Sequence, residues 1–330
     1  MRSKHGRKMC DCKPAPISLA SRVDLSCIRP SSRRARLREE CLVVDYKGRG
    51  YLKVRISIEA IPQVVLDEVC GALKSYCVPI CCLSPNDPDP RLRLIGSGTL
   101  VEIEGKHYIL TAAHVWYETR GAEEVGLTLT EYPSYSFLRI PRAAILDKCL
   151  WDNHVSEWGP DIAILQLPNS FVSTIAAHKS FLNLPRQKAT FISQLGTSVD
   201  GLWAITGMVG EFSEVQTTEQ NCTNTANINA RAFFSIGPRI HESNGYDFLD
   251  ISAKQDLPGV PSDFGGISGG GLWEISLSMG ESGKVFWDGR SRHFRGIAFW
   301  QSAISDGRRI IRCHGPRSIF EKAWESWAFH

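Results

Sequence analysis

The chain has 330 residues, with 38 basic and 35 acidic side chains, so its formal net charge is +3. Its composition, 43% apolar and 22% charged, is that of a globular protein and excludes a collagen-like or wholly disordered chain. No uncharged apolar stretch approaches the ~18–20 residues that span a bilayer, so no membrane span is predicted. At about 100–200 residues per domain, the length suggests two domains, or one two-lobed unit with an extension.

The charge is unevenly placed along the chain. Residues 1–38 hold 11 basic and two acidic residues, a net of +9, whereas the remainder has a net charge of −6. Residues 1–41 show little periodicity, and we interpret them as a basic, disordered extension. A solvated tail explains such a run better than a nucleic-acid contact, so no nucleic-acid partner is predicted. The Arg- and Ser-rich composition leaves organelle targeting by this N-terminus open.

The cysteines indicate a reducing compartment. There are 11 of them, an odd number without regular spacing, and a bridge between the adjacent Cys81 and Cys82 would be strained. The N-terminus also lacks the apolar core of a secretory signal. We therefore predict a cytoplasmic protein with free thiols. Cys10-x-Cys12 misses the Cys-x(2–4)-Cys spacing of zinc sites, so neither a metal nor another cofactor is predicted.

Residues 42–77 are predicted to form a lead-in of a hairpin and a helix. Apolar and polar residues alternate over 52–58 behind the turn Lys47-Gly48-Arg49-Gly50, which is typical of paired strands. Near-helical apolar spacing then predicts a helix over roughly 63–75.

From residue 78 onward, apolar runs of four to eight residues alternate with turn residues, which favours an all-β sandwich or barrel. An amphipathic helix, Ile319–Trp327, is predicted at the C-terminus.

Two segments offer candidate catalytic residues in the first part of this region. A strand–turn–strand pattern ends in Thr111-Ala-Ala-His114, where small residues would leave the imidazole facing a cleft. A lone His after a strand is more often structural. Asp161 opens the apolar strand that continues to Leu167, and a buried carboxylate needs a partner such as a His. Taken alone, a cap at the strand edge explains Asp161 better.

A third segment places five glycines around one serine, within residues 265–271. Glycine permits positive φ and allows main-chain N–H groups to converge on one bound atom. Such a loop can present the Ser268 hydroxyl beside an oxyanion hole. The alternative is a plain glycine-rich turn, which does not explain the apolar strand that follows.

Together, the three segments resemble the chymotrypsin/trypsin-like serine peptidase family. The order is His114, Asp161, Ser268, with gaps of 47 and 107 residues, and the resemblance extends over about residues 78–330. It implies two antiparallel six-stranded β-barrels, the first over 78–195 with His114 and Asp161. The second, over 196–330, would carry Ser268 and the C-terminal helix.

The resemblance also implies a role for each residue. Ser268 Oγ would attack the scissile carbonyl of a protein or peptide substrate, and His114 would accept its proton. Asp161 would orient the imidazole, while the N–H groups of Gly266 and Ser268 would form the oxyanion hole. This predicts a serine endopeptidase that works through an acyl-enzyme.

Departures from the family pattern concern activation. Ile267 stands where digestive members carry the Asp that pairs with a freed N-terminus, and no Ile-Val-Gly-Gly-like activation sequence is present. The pattern is therefore closer to bacterial, cytoplasmic members, with a site that is preformed or ordered by an activating partner protein. Two alternatives follow: a partner-gated protease effector with residues 1–77 as its regulatory segment, and a catalytically silent binding module.

Other departures concern the specificity pocket. The residue six before the nucleophile is Ser262, which does not support a preference for Lys or Arg. Gly296–Gln301 resembles the family's substrate-pairing strand. Within it, Phe299 replaces a Ser that normally touches the catalytic Asp, Trp300 follows, and Gln301 could narrow the pocket. Ser262, Phe299, Trp300 and Gln301 are thus the predicted substrate-binding residues.

Overall fold

A computed structural model describes residues 41–48, 50–83, 93–130, 137–151, 158–194, 201–218, 223–255, 257 and 259–327. For 41–48, 50–54, 83, 214–218 and 223–227 it describes the main chain only. All described residues lie in one compact unit, Glu39–His330. The predicted basic extension falls outside the described residues except for Cys41, which begins the first strand.

The N-terminal part of the described chain is the predicted hairpin and helix. Strands β1 (Cys41–Gly48) and β2 (Gly50–Ser57) pair antiparallel in register from Cys41↔Ser57 to Gly48↔Gly50. A 3₁₀ turn, Ile58–Ala60, leads into helix α1 (Gln63–Lys74), which buries Val65, Val69 and Leu73. These three residues lie on one helical face, so the spacing seen in the sequence is the face that packs on the core.

Eight strands form the sheet that carries the candidate His and Asp, and we refer to it as the first sheet. In the order β7-β6-β3-β4-β5-β9-β8 all neighbours are antiparallel, and β10 adds to β4 in parallel. The strands are β3 (Cys77–Leu83), β4 (Arg93–Ile103), β5 (Lys106–Thr111), β6 (Glu124–Thr128), β7 (Phe137–Pro141), β8 (Leu146–Trp151), β9 (Asp161–Gln166) and β10 (Leu182–Asn183). Its helices are α2 (Ala113–Glu118), α3 (Asn169–Ala176) and α4 (Leu184–Ser193), with a 3₁₀ turn at Arg142–Ala144.

Seven antiparallel strands form the sheet around the candidate nucleophile, the second sheet. Its order is β14-β11-β17-β20-β21-β16-β15, and two small sheets accompany it, the β12–β13 hairpin and β19-β18-β1-β2. The strands are β11 (Leu202–Met208), β12 (Glu214–Thr218), β13 (Thr223–Asn227), β14 (Ala230–Ile236), β15 (Arg239–Ser243), β16 (Tyr246–Lys254), β17 (Gly271–Ile275), β18 (Ser278–Met279), β19 (Val285–Phe286), β20 (Arg292–Gln301) and β21 (Arg308–His314). A 3₁₀ turn lies at Gly210–Phe212.

The chain ends in a short helix, as predicted. It comprises a π-helical turn, Ser318–Ala323, and α5 (Trp324–Ser326). Ile319, Phe320, Ala323 and Trp327 are buried in the same hydrophobic cluster as α1. The terminal helix is therefore held by apolar burial against residues far away in sequence.

The predicted fold class is confirmed at the level of a mostly β protein with a short C-terminal helix. Among the described residues, the strand pairings close neither large sheet into a barrel. The predicted division near residue 195 lies outside the described residues and stays a prediction. Packing does join the sheets: one buried cluster combines Leu110 and Ile164 of the first with Trp273 and Ile297 of the second.

Candidate active site

His114 and Asp161 are brought together by the pairing of β5 with β9. β5 ends at Thr111, so His114 lies in the first turn of α2, and Asp161 is the first residue of β9. Asp161 Oδ1 accepts from the main-chain N–H of His114 at 2.9 Å, and Oδ2 lies 2.6 Å from His114 Nδ1. A carboxylate only accepts, so we assign the proton to Nδ1. Nε2 is then the ring nitrogen available as a base.

The two groups differ in burial, which sets their electrostatics. The Asp161 side chain is 4% exposed and the His114 side chain 19%. Burial of the imidazole acts to lower the pKa of His114, but the hydrogen bond and the charge of Asp161 oppose this and leave the pKa above its ordinary value. The pair therefore stabilises the imidazolium form of His114. A general base needs this stabilisation, because it holds a proton during the reaction.

A second histidine contacts the other side of Asp161. The main-chain N–H of Asp161 donates to His314 Nε2 at 3.1 Å, and His314, the last residue of β21, is 0% exposed. Burial lowers the pKa of His314 to about 3, so its ring is neutral and Nε2 can accept. This contact joins the first sheet to the second at the carboxylate that holds His114.

The Ser268 loop is tied to the first sheet by its main chain. Ser268 O accepts from Ser97 N at 2.8 Å, and the Ser97 hydroxyl donates to Gly266 O at 2.7 Å. The same hydroxyl oxygen accepts from Met208 N at 2.7 Å. On the other side, Gly269 N donates to Ala298 O of β20 at 2.7 Å. Ser97 and β20 thus fix the loop from two directions.

Among the described residues, the main-chain amides expected to form the oxyanion hole find no hydrogen-bond acceptor. Gly265 O accepts from Gly210 N at 2.7 Å. The C=O and N–H of one trans peptide point in opposite directions, so the Gly266 N–H faces away from Gly210. Gly266 has φ +95°, a conformation that favours glycine. Across the part of the chain that the structure describes, neither Gly266 N–H nor Ser268 N–H has an acceptor.

The Ser268 hydroxyl donates to Phe299 O at 3.4 Å. Over the described ranges, no hydrogen bond joins it to the His114 ring. Nevertheless, the Ser268 loop and α2 both pack against Gly96. A Cβ placed on Gly96 would come within 3.0 Å of Ser268 O and 2.6 Å of a Val115 methyl. The structure therefore places Ser268 beside the His114 helix, with the hydroxyl turned to β20.

The predicted pocket residue Ser262 is engaged by a neighbouring carboxylate. Its N–H and its hydroxyl both donate to Glu211 Oε2 at 2.8 Å, and Asp263 N donates to the same oxygen at 3.0 Å. These hydrogen bonds lower the pKa of Glu211, the Ser262 hydroxyl contributing most. Glu211 follows Gly210, whose N–H donates to Gly265 O. This short segment therefore binds both the start of the loop that contains Ser268 and the glycine before Gly266.

Gln301 bridges the nucleophile loop to β20 and β21. Its Nε2 donates to Asp263 Oδ1 at 2.6 Å, and its Oε1 accepts from Phe264 N at 3.0 Å. Arg309 donates to the same oxygen at 2.8 Å. The hydrogen bond from Gln301 is the main reason that the pKa of Asp263 lies below its usual range. The Gln301 side chain is thus fixed by three hydrogen bonds at the position where the sequence predicts that it narrows the specificity pocket.

Phe299 and Trp300 contact buried groups of β21. Phe299 is buried and stacks on His314, with ring centroids 4.2 Å apart. The Arg312 guanidinium lies 5.0 Å from the Trp300 ring and 3.7 Å from the Trp158 ring. Its charge is balanced by Asp250, which accepts from Arg312 Nε at 2.7 Å. The side chains of Phe299 and Trp300 in β20 therefore form one aromatic and charged surface with those of His314 and Arg312 in β21.

A cavity of about 480 Å³ lies beside α2, the helix that carries His114. Ala113, Trp116, Arg120 and Trp151 are among its lining residues. The indole N–H groups of Trp116 and Trp151 are buried without a hydrogen-bond partner. The two indoles belong to α2 and β8, which lie on either side of the cavity.

The described part of the chain offers no comparable site for a catalytic thiol or for a metal ion. No group of three or more His, Cys, Asp or Glu side chains that could hold a metal ion occurs there. Five cysteines with described side chains are free thiols: Cys77, Cys81, Cys82, Cys149 and Cys313. Burial raises the pKa of the Cys77 thiol to about 12. The pKa of Cys149 is also about 12, because surrounding protein atoms partly desolvate its thiol and the Asp147 carboxylate lies beside it. Protonated thiols are poor nucleophiles.

Two residues of the site were missed by the sequence reasoning, His314 and Ser97. In the sequence, Ser97 is marked by its position between Gly96 and Gly98. The structure explains Gly98, because a Cβ there would collide with Ile109. His314 had none, because its contact with Asp161 spans 153 residues of sequence.

A comparison with known protein families and with curated proteins gives no match to this sequence. Among the described helices, none combines the length and apolarity needed to cross a bilayer.

Proposed function

We propose that the protein is a serine endopeptidase that cleaves protein or peptide substrates through an acyl-enzyme. The observation that carries the proposal is the buried Asp161 holding His114 by two hydrogen bonds, next to a serine loop with two unpaired N–H groups. His114 and Asp161 come from the first sheet and Ser268 from the second. This supports the finer proposal of two chymotrypsin-like barrels with the reaction between them.

In the proposed reaction, Ser268 Oγ adds to the scissile carbonyl while His114 Nε2 takes the hydroxyl proton. The developing oxyanion accepts from Gly266 N–H and Ser268 N–H. His114 then protonates the leaving amine, and water hydrolyses the ester by the same steps. One oxyanion donor is worth ~3 kcal/mol in such enzymes, so the loop geometry contributes as much as a side chain.

Apolar packing supports the view that the loop is ordered without zymogen cleavage. Ile267 is buried in a cluster with Phe264 and Leu272. A Cβ on Gly207 would collide with Ile267, so the two segments are in close contact. In place of an ion pair with a freed N-terminus, this residue anchors the loop by burial.

A cleavage profile of a peptide library by the wild-type chain and by Ser268→Ala tests the proposal. We expect discrete cleavage by the wild type and a loss of about 10³-fold or more in the variant. An unchanged profile in Ser268→Ala would assign the cleavage to another group.

One observation favours a second candidate, the partner-gated protease. The Ser268 hydroxyl donates to Phe299 O and not to His114, so a side-chain rotation must precede attack. If the N-terminal segment controls that rotation, the chain from Glu39 onward will hydrolyse peptides at a different rate from the full chain. Equal rates for the two chains would exclude control by residues 1–38.

A further inference from the structure

A second cavity, of about 600 Å³, is unusual for its charge. Its lining includes Arg186, Arg290, Arg292 and His293 and contains no Asp or Glu among the described residues. It lies between α4 and the segment that begins β20, on a different set of residues from those of the candidate triad. Positive charges that lie close together repel one another, and a bound anion relieves this repulsion.

The three arginines are not neutralised inside the protein. Over the described ranges, none of Arg186, Arg290 and Arg292 forms a salt bridge with a carboxylate. The nearby Asp288 carboxylate accepts instead from its own loop, from the N–H groups of Arg290 and Ser291 and from the Ser291 hydroxyl. The guanidinium charges therefore remain available to a ligand.

Arg292 is held in place before any ligand arrives. It donates to the Tyr76 hydroxyl at 2.7 Å and to Gly289 O, and its guanidinium lies 5.4 Å from the Tyr76 ring. Arg186 and Arg290 are exposed. One fixed and two exposed guanidinium groups suit phosphate oxygens, which arginine binds in a bidentate manner.

Size and wall chemistry narrow the ligand further. A volume of about 600 Å³ lies within the ~300–1,000 Å³ of small-molecule sites. Phe181 and Tyr76 add an aromatic wall, and Asn183 and Gln187 add amide groups. We propose that this cavity binds an organic diphosphate, with the diphosphate on the arginines and the organic part against the aromatic wall.

The location gives such a ligand a structural effect. Asn183 belongs to β10, which pairs with β4 of the first sheet, whereas Arg292 begins β20 of the second. A ligand that contacts both walls therefore links the two sheets that carry His114 and Ser268. Because it binds the folded chain only, it raises the unfolding temperature.

Calorimetric titration of the full chain with ADP, with inorganic pyrophosphate and with adenosine tests the proposal. We expect saturable binding of ADP with a dissociation constant below ~1 mM at low salt, weaker binding of pyrophosphate and none of adenosine. Pyrophosphate binding as tightly as ADP would overturn the organic part of the proposal. No saturable binding of either diphosphate would overturn the whole of it.

Charge variants separate the cavity from general electrostatic attraction. Arg186→Glu and Arg290→Glu change exposed residues that hold no other group in place, so we expect folded proteins with at least tenfold weaker ADP binding. Arg239→Glu makes the same charge change at an exposed residue outside the cavity and should alter binding less than twofold. Equal weakening by all three variants would contradict the proposed site.

Discussion

The main-chain N–H of Asp161 donates to Nε2 of His314, and this bond connects the residue that holds His114 to β21, the neighbour of β20. His314 in turn stacks on Phe299, whose carbonyl accepts the Ser268 hydroxyl. A continuous set of contacts therefore joins all three proposed catalytic residues across two sheets. In the proposed triad, His314 would act by positioning Asp161.

The pH dependence of stability reports the buried state of His314. The unfolded chain binds a proton at this residue near pH 6.5, whereas burial lowers the folded pKa to about 3. The unfolded state thus holds more protons in this window, and the free energy of unfolding falls as the pH falls from 6.5 towards 3. The contribution is up to about 1.4 kcal/mol per pH unit.

His314→Gln does not titrate and keeps an acceptor for Asp161 N–H, so it should lack this slope. The measurement is denaturant unfolding of both proteins from pH 7 to pH 4. Parallel curves for the wild type and His314→Gln would show that folding does not lower the pKa of His314.

Asp161→Asn should change both the rate and its pH dependence. The wild-type kcat/KM should rise with a midpoint above 6.5, since Asp161 raises the pKa of His114. Without the negative charge the midpoint should fall, and loss of the correct tautomer should lower kcat about 10³–10⁴-fold. Peptide hydrolysis across pH 5–9 measures this, with Asp67→Asn, an exposed residue of α1, as the control. A midpoint unmoved by Asp161→Asn would mean that another group titrates.

Gly269→Ala should destabilise the protein more than its backbone angle alone predicts. Gly269 has φ +87°, and a Cβ there would collide with Ser97 O and Thr111 Oγ1. Gly105→Ala is the matched control, because its φ is +75° and nothing lies within 4 Å of the added carbon. We expect about 1–2 kcal/mol for Gly105→Ala and a larger loss for Gly269→Ala. Equal unfolding temperatures for the two variants would contradict the tight fit of the loop.

Ser97→Ala should impair catalysis through the oxyanion hole. The variant loses the bond to Gly266 O and leaves Met208 N–H without its acceptor, at a cost of about 1–3 kcal/mol in stability. If Gly266 supplies one oxyanion donor, as proposed, kcat should fall more than KM rises. Ser326→Ala, which removes a hydroxyl bonded only to its own helix, is the control. A change confined to KM would place Ser97 outside the catalytic geometry.

Local pattern predicted the elements of this fold better than their assembly. Alternation over 52–58 gave the β1–β2 hairpin, and helical spacing gave α1, because each depends on neighbours in sequence. Asp161 was chosen because a carboxylate opening a buried strand needs a partner, and the structure provides His114. The cost of burying a charge is a property of the residue itself and can therefore be deduced from the sequence.

The remaining features depend on tertiary contacts that leave no local signal. Gln301 was expected to narrow a pocket, but its bonds to Asp263, Phe264 and Arg309 follow from the packing of β20 against a loop. The orientation of the Ser268 hydroxyl is likewise set by Phe299 O. The arginine-lined cavity combines α4 with residues 289–293, which are about 100 positions apart in the chain.

Fluorophosphonate labelling followed by peptide mapping tests the central claim most directly. The reagent should modify Ser268 alone in the wild-type chain, and the rate should fall about 10³-fold or more in His114→Ala, in which the nucleophile loses its base. Ser268→Ala should take up no label. Modification of another residue, or equal labelling of the wild type and His114→Ala, would contradict a His114–Asp161–Ser268 triad.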